Sequence, residues 1–172
     1  MVKNRYAILT IIVSLLTILG LILIVTIKND QEKFNENIVI EGSGVTTESL
    51  DVSLEGFYPG KSQDYTIKIN CPTDGEYKFT LSFNEAADGL LKNYLDVCVF
   101  VGNEQVAQVT PLKDYLSGSV VEFTSELRAK EATIIKIQYT MPQSVGNEAK
   151  NTTASFSVQT IIENEGVFGE GK

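Results

Sequence analysis

The stretch E-Y-K-F-T-L-S-F-N, Glu76 to Asn84, alternates strictly, with Tyr77, Phe79, Leu81 and Phe83 on one side and Lys78, Thr80 and Ser82 on the other. A period of two marks a strand with one face in a core and the other in water. The same alternation recurs in Tyr65-Ile67-Ile69, Leu95-Val97-Val99-Val101, Ile135-Ile137-Tyr139-Met141 and Ala154-Phe156-Val158, and more weakly in Ile38 to Ile40, Leu50-Val52-Leu54, Gln105 to Val109 and Val121 with Phe123. Short strands at this spacing predict an antiparallel β-sandwich. Turn chemistry falls between them where hairpins would close. Tyr58-Pro59-Gly60-Lys61 has Pro and Gly at the two central positions of a type II turn, and Thr73-Asp74-Gly75 and Gly102-Asn103 supply two more links. Helical turns are expected at Glu85 to Lys92 and at Pro111 to Leu116, where Leu112, Tyr115 and Leu116 share a face.

An internal echo appears at an offset of 70 residues: G-K-S-Q-D-Y-T-I-K-I-N-C-P, ending at Pro72, aligns with K-E-A-T-I-I-K-I-Q-Y-T-M-P, ending at Pro142. Related halves of a Greek key or jelly roll would produce it, and so would convergent strand patterning.

Ahead of the strands, Tyr6 to Ile27 (YAILTIIVSLLTILGLILIVTI) contains neither charge nor Pro. As a helix it would measure roughly 33 Å, enough to cross a bilayer. The run is too long for the apolar core of a cleaved signal, and Val25-Thr26-Ile27-Lys28 offers no small-x-small site. A single transmembrane signal anchor bounded by Tyr6 and Ile27 is therefore expected. Lys3 and Arg5 precede it and Lys28 and Lys33 follow it, but the short leading tail with its α-amino charge favours residues 1–5 in the cytoplasm and the following domain outside. A pilin-like leader would need a Gly before the apolar run and a Glu within it, and neither is present there. Residues 28–37 read as a polar stalk, 38–163 as the extracytoplasmic domain, and the Gly- and Glu-rich 164–172 as a disordered tail.

The 172 residues carry 14 Lys and Arg against 22 Asp and Glu. Lys3, Arg5 and Lys28 fall before the domain with no acid among them, which leaves 11 basic and 22 acidic side chains, a net of −11. Nucleic acid and anionic lipid would repel such a domain. With no His in the chain, Ser-His and Cys-His nucleophile pairs, His-ligated zinc and the HExxH motif are all excluded. Asp74, Glu76, Asp88 and Asp114 sit near turns without the spacing of a calcium loop, and read as solvated carboxylates. Asn151-Thr152-Thr153 is a sequon or a polar loop. Cys71 continues the inward face of Ile67 and Ile69, whereas Cys98 has the opposite parity to Val97 and Val99; two unpaired cysteines are expected, with a disulfide as the alternative. No catalytic, cofactor-binding or metal-ligating residue is assigned, and no cofactor is implied.

Three stretches in order resemble the TasA/camelysin-like proteins of Gram-positive cell surfaces: LDVSLEGFYPGKSQDYTIKI (Leu50 to Ile69), LLKNYLDVCVFVGNEQVAQVTPLKDYL (Leu90 to Leu116) and YTMPQSVGNEAKNTTASFSV (Tyr139 to Val158). The resemblance implies a jelly-roll β-sandwich and a role in extracellular fibres, biofilm matrix or cell-surface structure, with subunits in some members joined by strand donation. This chain departs from the family after Ile27, where KNDQEKF replaces the usual aromatic-rich start, and at Ala129-Lys130, where the family has Pro-Gly. A camelysin-like metallopeptidase would here need a zinc site built from carboxylates and at most two thiolates.

The fold expected is thus an all-β, antiparallel jelly-roll or Greek-key sandwich behind one N-terminal transmembrane helix. The role expected is structural or protein-binding at the cell surface rather than enzymatic, with the membrane as one partner and self-association or a surface protein as another. Ile38 to Ile40 or Leu50 to Leu54 would supply the strand. The alternatives are a His-free hydrolase and an accessory or sensor domain of a membrane complex.

Overall fold

In a computed structural model of the chain, residues 36–40 and 45–166 are described. The transmembrane segment expected at Tyr6 to Ile27 and the tail beyond Gly166 lie outside them, and among the described residues no helix is long and apolar enough to cross a membrane.

Among the described residues, ten strands form two sheets that pack as a sandwich. They are β1 (Glu36–Val39), β2 (Thr46–Leu54), β3 (Ser62–Asn70), β4 (Gly75–Ala87), β5 (Asp96–Val101), β6 (Glu104–Gln105), β7 (Thr110–Pro111), β8 (Val120–Leu127), β9 (Ala132–Thr140) and β10 (Ala154–Gly166). One sheet runs β2-β10-β4-β8; the other runs β1-β3-β9-β5-β6, with β7 also on β5. The alternation in β4 is realised as read: Tyr77, Phe79, Leu81 and Phe83 are buried between the sheets. Burial of each such side chain stabilises the fold by about 1.5–3 kcal/mol. Phe79 stacks on Phe123, its partner in register on β8, at 4.9 Å. Between the sheets, Tyr139 of β9 meets Phe156 of β10 edge-on at 5.6 Å.

Most connections cross from one sheet to the other, which corrects the hairpin expectation. The turns at Pro59-Gly60 and Asp74-Gly75 join β2 to β3 and β3 to β4, and each joins strands of different sheets. Of the three expected turns only Gly102-Asn103 closes a hairpin, pairing Val101 with Glu104. Gly102 is left-handed at φ 58 and Asn103 is not, as a type II′ turn requires.

The echoed segments are neighbours in space. β3 and β9 pair antiparallel with Thr66 opposite Lys136, and these two residues are also equivalent under the 70-residue offset. A local two-fold axis therefore passes through that pair. Each strand is entered by the same turn. In the first, Lys61 N–H donates to Tyr58 O (2.9 Å) with Gly60 at φ 83; in the second, Glu131 N–H donates to Arg128 O (3.2 Å) with Lys130 at φ 69.

Four local expectations shift. Glu85 to Ala87 continue β4 instead of starting a helix, because pairing with β10 carries on past a bulge at Ser155/Phe156, and only Leu90–Tyr94 turn as a 3-10 helix. Of the strand expected at Gln105 to Val109 only Gln105 is in a strand, at the end of β6, and the rest is the connection to β7. β1 starts at Glu36, inside the expected stalk, and β10 continues to Gly166, past the expected boundary at residue 163. The helical turn after Pro111 is present as α1 (Leu112–Leu116), with Tyr115 stacked on Phe83 at 4.8 Å.

Candidate functional site

The two ends of the sandwich differ. One end carries tight turns at Thr73-Asp74, Gly102-Asn103 and Ala129-Lys130. The other gathers the loops 55–61, 88–95 and 141–153 together with α1, the 3-10 turn at Leu90–Tyr94 and a second one at Asn147–Ala149. Asp74 is structural, since Ala129 N–H donates to its Oδ1 at 2.6 Å and so ties two turns of the first end together. Gly75 is buried where β4 begins, and a β-carbon there would stand 2.6 Å from Gly166 O.

The carboxylates singled out from sequence do not converge. Asp88 and Glu85 both hold Lys92, Asp88 at 3.0 Å, and these contacts, with Glu85 foremost, raise the lysine's pKa. Glu76 lies on β4 opposite Glu126, and Asp114 lies in α1. Among the described residues no three His, Cys, Asp or Glu side chains are grouped to hold a metal.

Cys71 and Cys98 are both free and buried. Along β9, Asn70 pairs with Ala132 and Cys98 with Gln138. That places the two cysteines about 23 Å apart along the strand direction at ~3.3 Å per residue, far beyond the Cα separation a disulfide spans. The disulfide alternative is therefore excluded within the chain. Cys71 belongs to the core cluster, while Cys98 lies outside it with its Sγ 3.9 Å from Ala107 O. Burial raises both thiol pKa values.

Among the described residues, two tyrosines are wholly buried. Tyr77 donates its hydroxyl to Thr73 O at 3.1 Å. Tyr139 has no hydrogen-bond partner for its hydroxyl, and desolvation, helped by Tyr65, pushes its pKa well above the usual phenol value.

At the loop end, Phe57, Tyr58, Pro59, Met141, Ala149 and Lys150 line a pocket of about 170 Å³. The turn at Pro59-Gly60 forms one wall, and Gly60 N–H donates to Met141 O at 2.8 Å, holding the two loops together. Lys61 braces that wall: its Nζ donates to Gly56 O at 2.9 Å and lies 5.1 Å from the Phe57 ring and 5.8 Å from the Tyr58 ring. Tyr58 is nonetheless 63% exposed. Sequence reading names the turn but not the pocket, because its other wall lies some eighty residues further along the chain.

A further open feature is an edge. β1 is a four-residue strand pairing parallel with β3, with Ile38 opposite Ile69. Ile38 and Ile40 are each 2% exposed and complete the core at that side.

No family model matches the chain, and no curated protein matches it. Among solved structures it is similar to the Aeromonas hydrophila PliG, a periplasmic lysozyme inhibitor of g-type lysozyme. That match has 12% identity and a TM-score of 0.36 over 76% of this chain and 100% of that one. A mutant of the Escherichia coli PliG, also a periplasmic inhibitor of g-type lysozyme, matches at 12% identity and a TM-score of 0.30 over 75% of this chain and 99% of that one.

Proposed function

We propose that the chain is a single-pass, membrane-anchored protein of the TasA/camelysin-like kind, whose extracytoplasmic sandwich binds a surface protein or further copies of itself by strand addition. In this reading the orders β2-β10-β4-β8 and β3-β9-β5-β6 are the two sheets of a jelly roll. The role is structural or protein-binding rather than catalytic: the chain has no His, Asp74 ties two turns together, and Glu85 and Asp88 are engaged with Lys92.

β1 carries the reading. It is short and lies at an edge, and it makes a parallel pair where the other pairings are antiparallel. Its contribution is two apolar side chains, Ile38 and Ile40, set into the core. A segment of that size is replaceable by an equivalent strand from another chain, with main-chain hydrogen bonds giving affinity and the two side-chain pockets giving specificity. It also follows directly on the apolar segment and stalk, so the element nearest the anchor is the one available for exchange.

Two experiments test the two halves of this reading. Intact chain recovered in the membrane fraction supports the anchor, whereas a shortened chain in the medium, beginning near Lys28, overturns it. A chain lacking residues 1–44 should bind a synthetic peptide spanning Phe34 to Glu41, and should not bind the same peptide carrying Ile38→Asp. Equal binding of both peptides would count against strand addition.

A further inference from the structure

The loop-end pocket has the dimensions of a single large side chain, about 170 Å³, where sites for whole metabolites run to about 300–1,000 Å³. Its floor is apolar. Its charged lining residue is Lys150, which forms no ion pair with any described residue although the chain as a whole is strongly acidic. Tyr58 stands at the rim, exposed and braced by Lys61. Such a site selects an apolar side chain with a carboxylate one or two residues away.

That pattern occurs in the chain itself, in Glu165-Gly166-Val167-Phe168-Gly169-Glu170. β10 begins at Ala154, on the pocket's side of the sandwich, and ends at Gly166 at the opposite end. Its twelve residue steps cover about 40 Å. Phe168 lies two residues further on, or about 7 Å of chain, so it cannot return to the pocket of its own copy. We propose that Phe168 of one copy docks into the loop-end pocket of a second copy, with Glu170 facing Lys150. Donor and acceptor lie at opposite ends of the domain, so the contact is heterologous and repeats head to tail. It requires neither exchange of β1 nor the membrane anchor, and therefore stands or falls apart from the function proposed above.

The test is binding of a fluorescent peptide spanning Glu163 to Lys172 to the full chain in detergent micelles, followed by anisotropy. The expected result is saturable binding that weakens by about tenfold or more with Phe168→Ser in the peptide, and likewise with Tyr58→Ala or Lys150→Glu in the chain. Tyr58 and Lys150 are both exposed, so these variants keep the fold, which an unchanged melting temperature verifies. Pairing the Lys150→Glu chain with a Glu170→Lys peptide should restore binding to within about threefold of the original. Absence of saturable binding at millimolar peptide, indifference to Tyr58→Ala, or failure of the charge swap to restore affinity would each overturn the proposal.

Discussion

Gly60 and Lys130 occupy the same position of two turns related by a local two-fold axis, and both are left-handed, at φ 83 and φ 69. Glycine adopts that conformation freely, but a side chain at φ > 0 costs about 1–2 kcal/mol. Lys130→Gly should therefore stabilise the domain by about 1 kcal/mol, after part of the relief is lost to the flexibility of glycine in the unfolded chain. Urea unfolding would register this as a higher midpoint with unchanged slope.

The neighbouring position gives the opposite expectation. Pro59 suits the first turn, and copying it into the second as Ala129→Pro would remove the N–H that donates to Asp74. That change should destabilise by about 1–2 kcal/mol, since the hydrogen bond runs to a charged acceptor. Asp74→Ala should cost a similar amount when made alone and nothing further when combined with Ala129→Pro, which a double-mutant cycle checks.

Tyr77 and Tyr139 should respond in opposite directions to loss of the hydroxyl. Tyr139→Phe removes an unsatisfied buried oxygen and should stabilise by about 1 kcal/mol. Tyr77→Phe removes the bond to Thr73 and should destabilise by a similar amount. Denaturant melts of the two variants side by side decide the matter.

Stability should fall in alkali. Burial raises the pKa of Tyr139, Cys71 and Cys98 in the folded state, so the unfolded chain gives up these protons first. Their contribution is full below the ordinary thiol and phenol values, near 9.0 and 10.0, and is lost progressively as pH rises above them. Melting temperatures measured from neutral pH into alkali should be level at first and then drop, with a shallower drop beyond the ordinary phenol value in Tyr139→Phe. A level profile throughout would contradict the burial of these groups.

Gly89 should tolerate no side chain. A β-carbon there would sit 2.2 Å from Thr153 O, the same carbonyl that receives Leu91 N–H at 3.2 Å. Gly89→Ala should cost about 3 kcal/mol or prevent folding, by pushing the 3-10 turn away from the start of β10. Circular dichroism melts of the purified variant would measure it.

The strands with one wet face are legible in the sequence because Tyr77, Ile67, Ile137 and Phe156 each sit in an alternating run. Alternation says that a residue points into a core, not which sheet it belongs to, so Pro59-Gly60 and Asp74-Gly75 read as hairpins when they are crossings between sheets. Glu85 to Ala87 read as helical because that end of β4 is exposed and carries no apolar period to declare it. The parity of Cys71 and Cys98 is readable and correct in direction. The pocket and the Asp74–Ala129 bond are not readable, since each joins residues more than fifty positions apart with no local motif to mark them.

The place of β10 between β2 and β4 has a kinetic consequence. The last of the described strands in sequence is a central one, so until it is in place β2 has no partner in its sheet and β4 keeps one side open. Before then β4 can pair with β8, and β9 with β3 and β5. Closing that sheet relies on contacts distant in sequence, which makes for slow folding, and until it closes the open side of β4 is the sticky edge of a half-folded molecule.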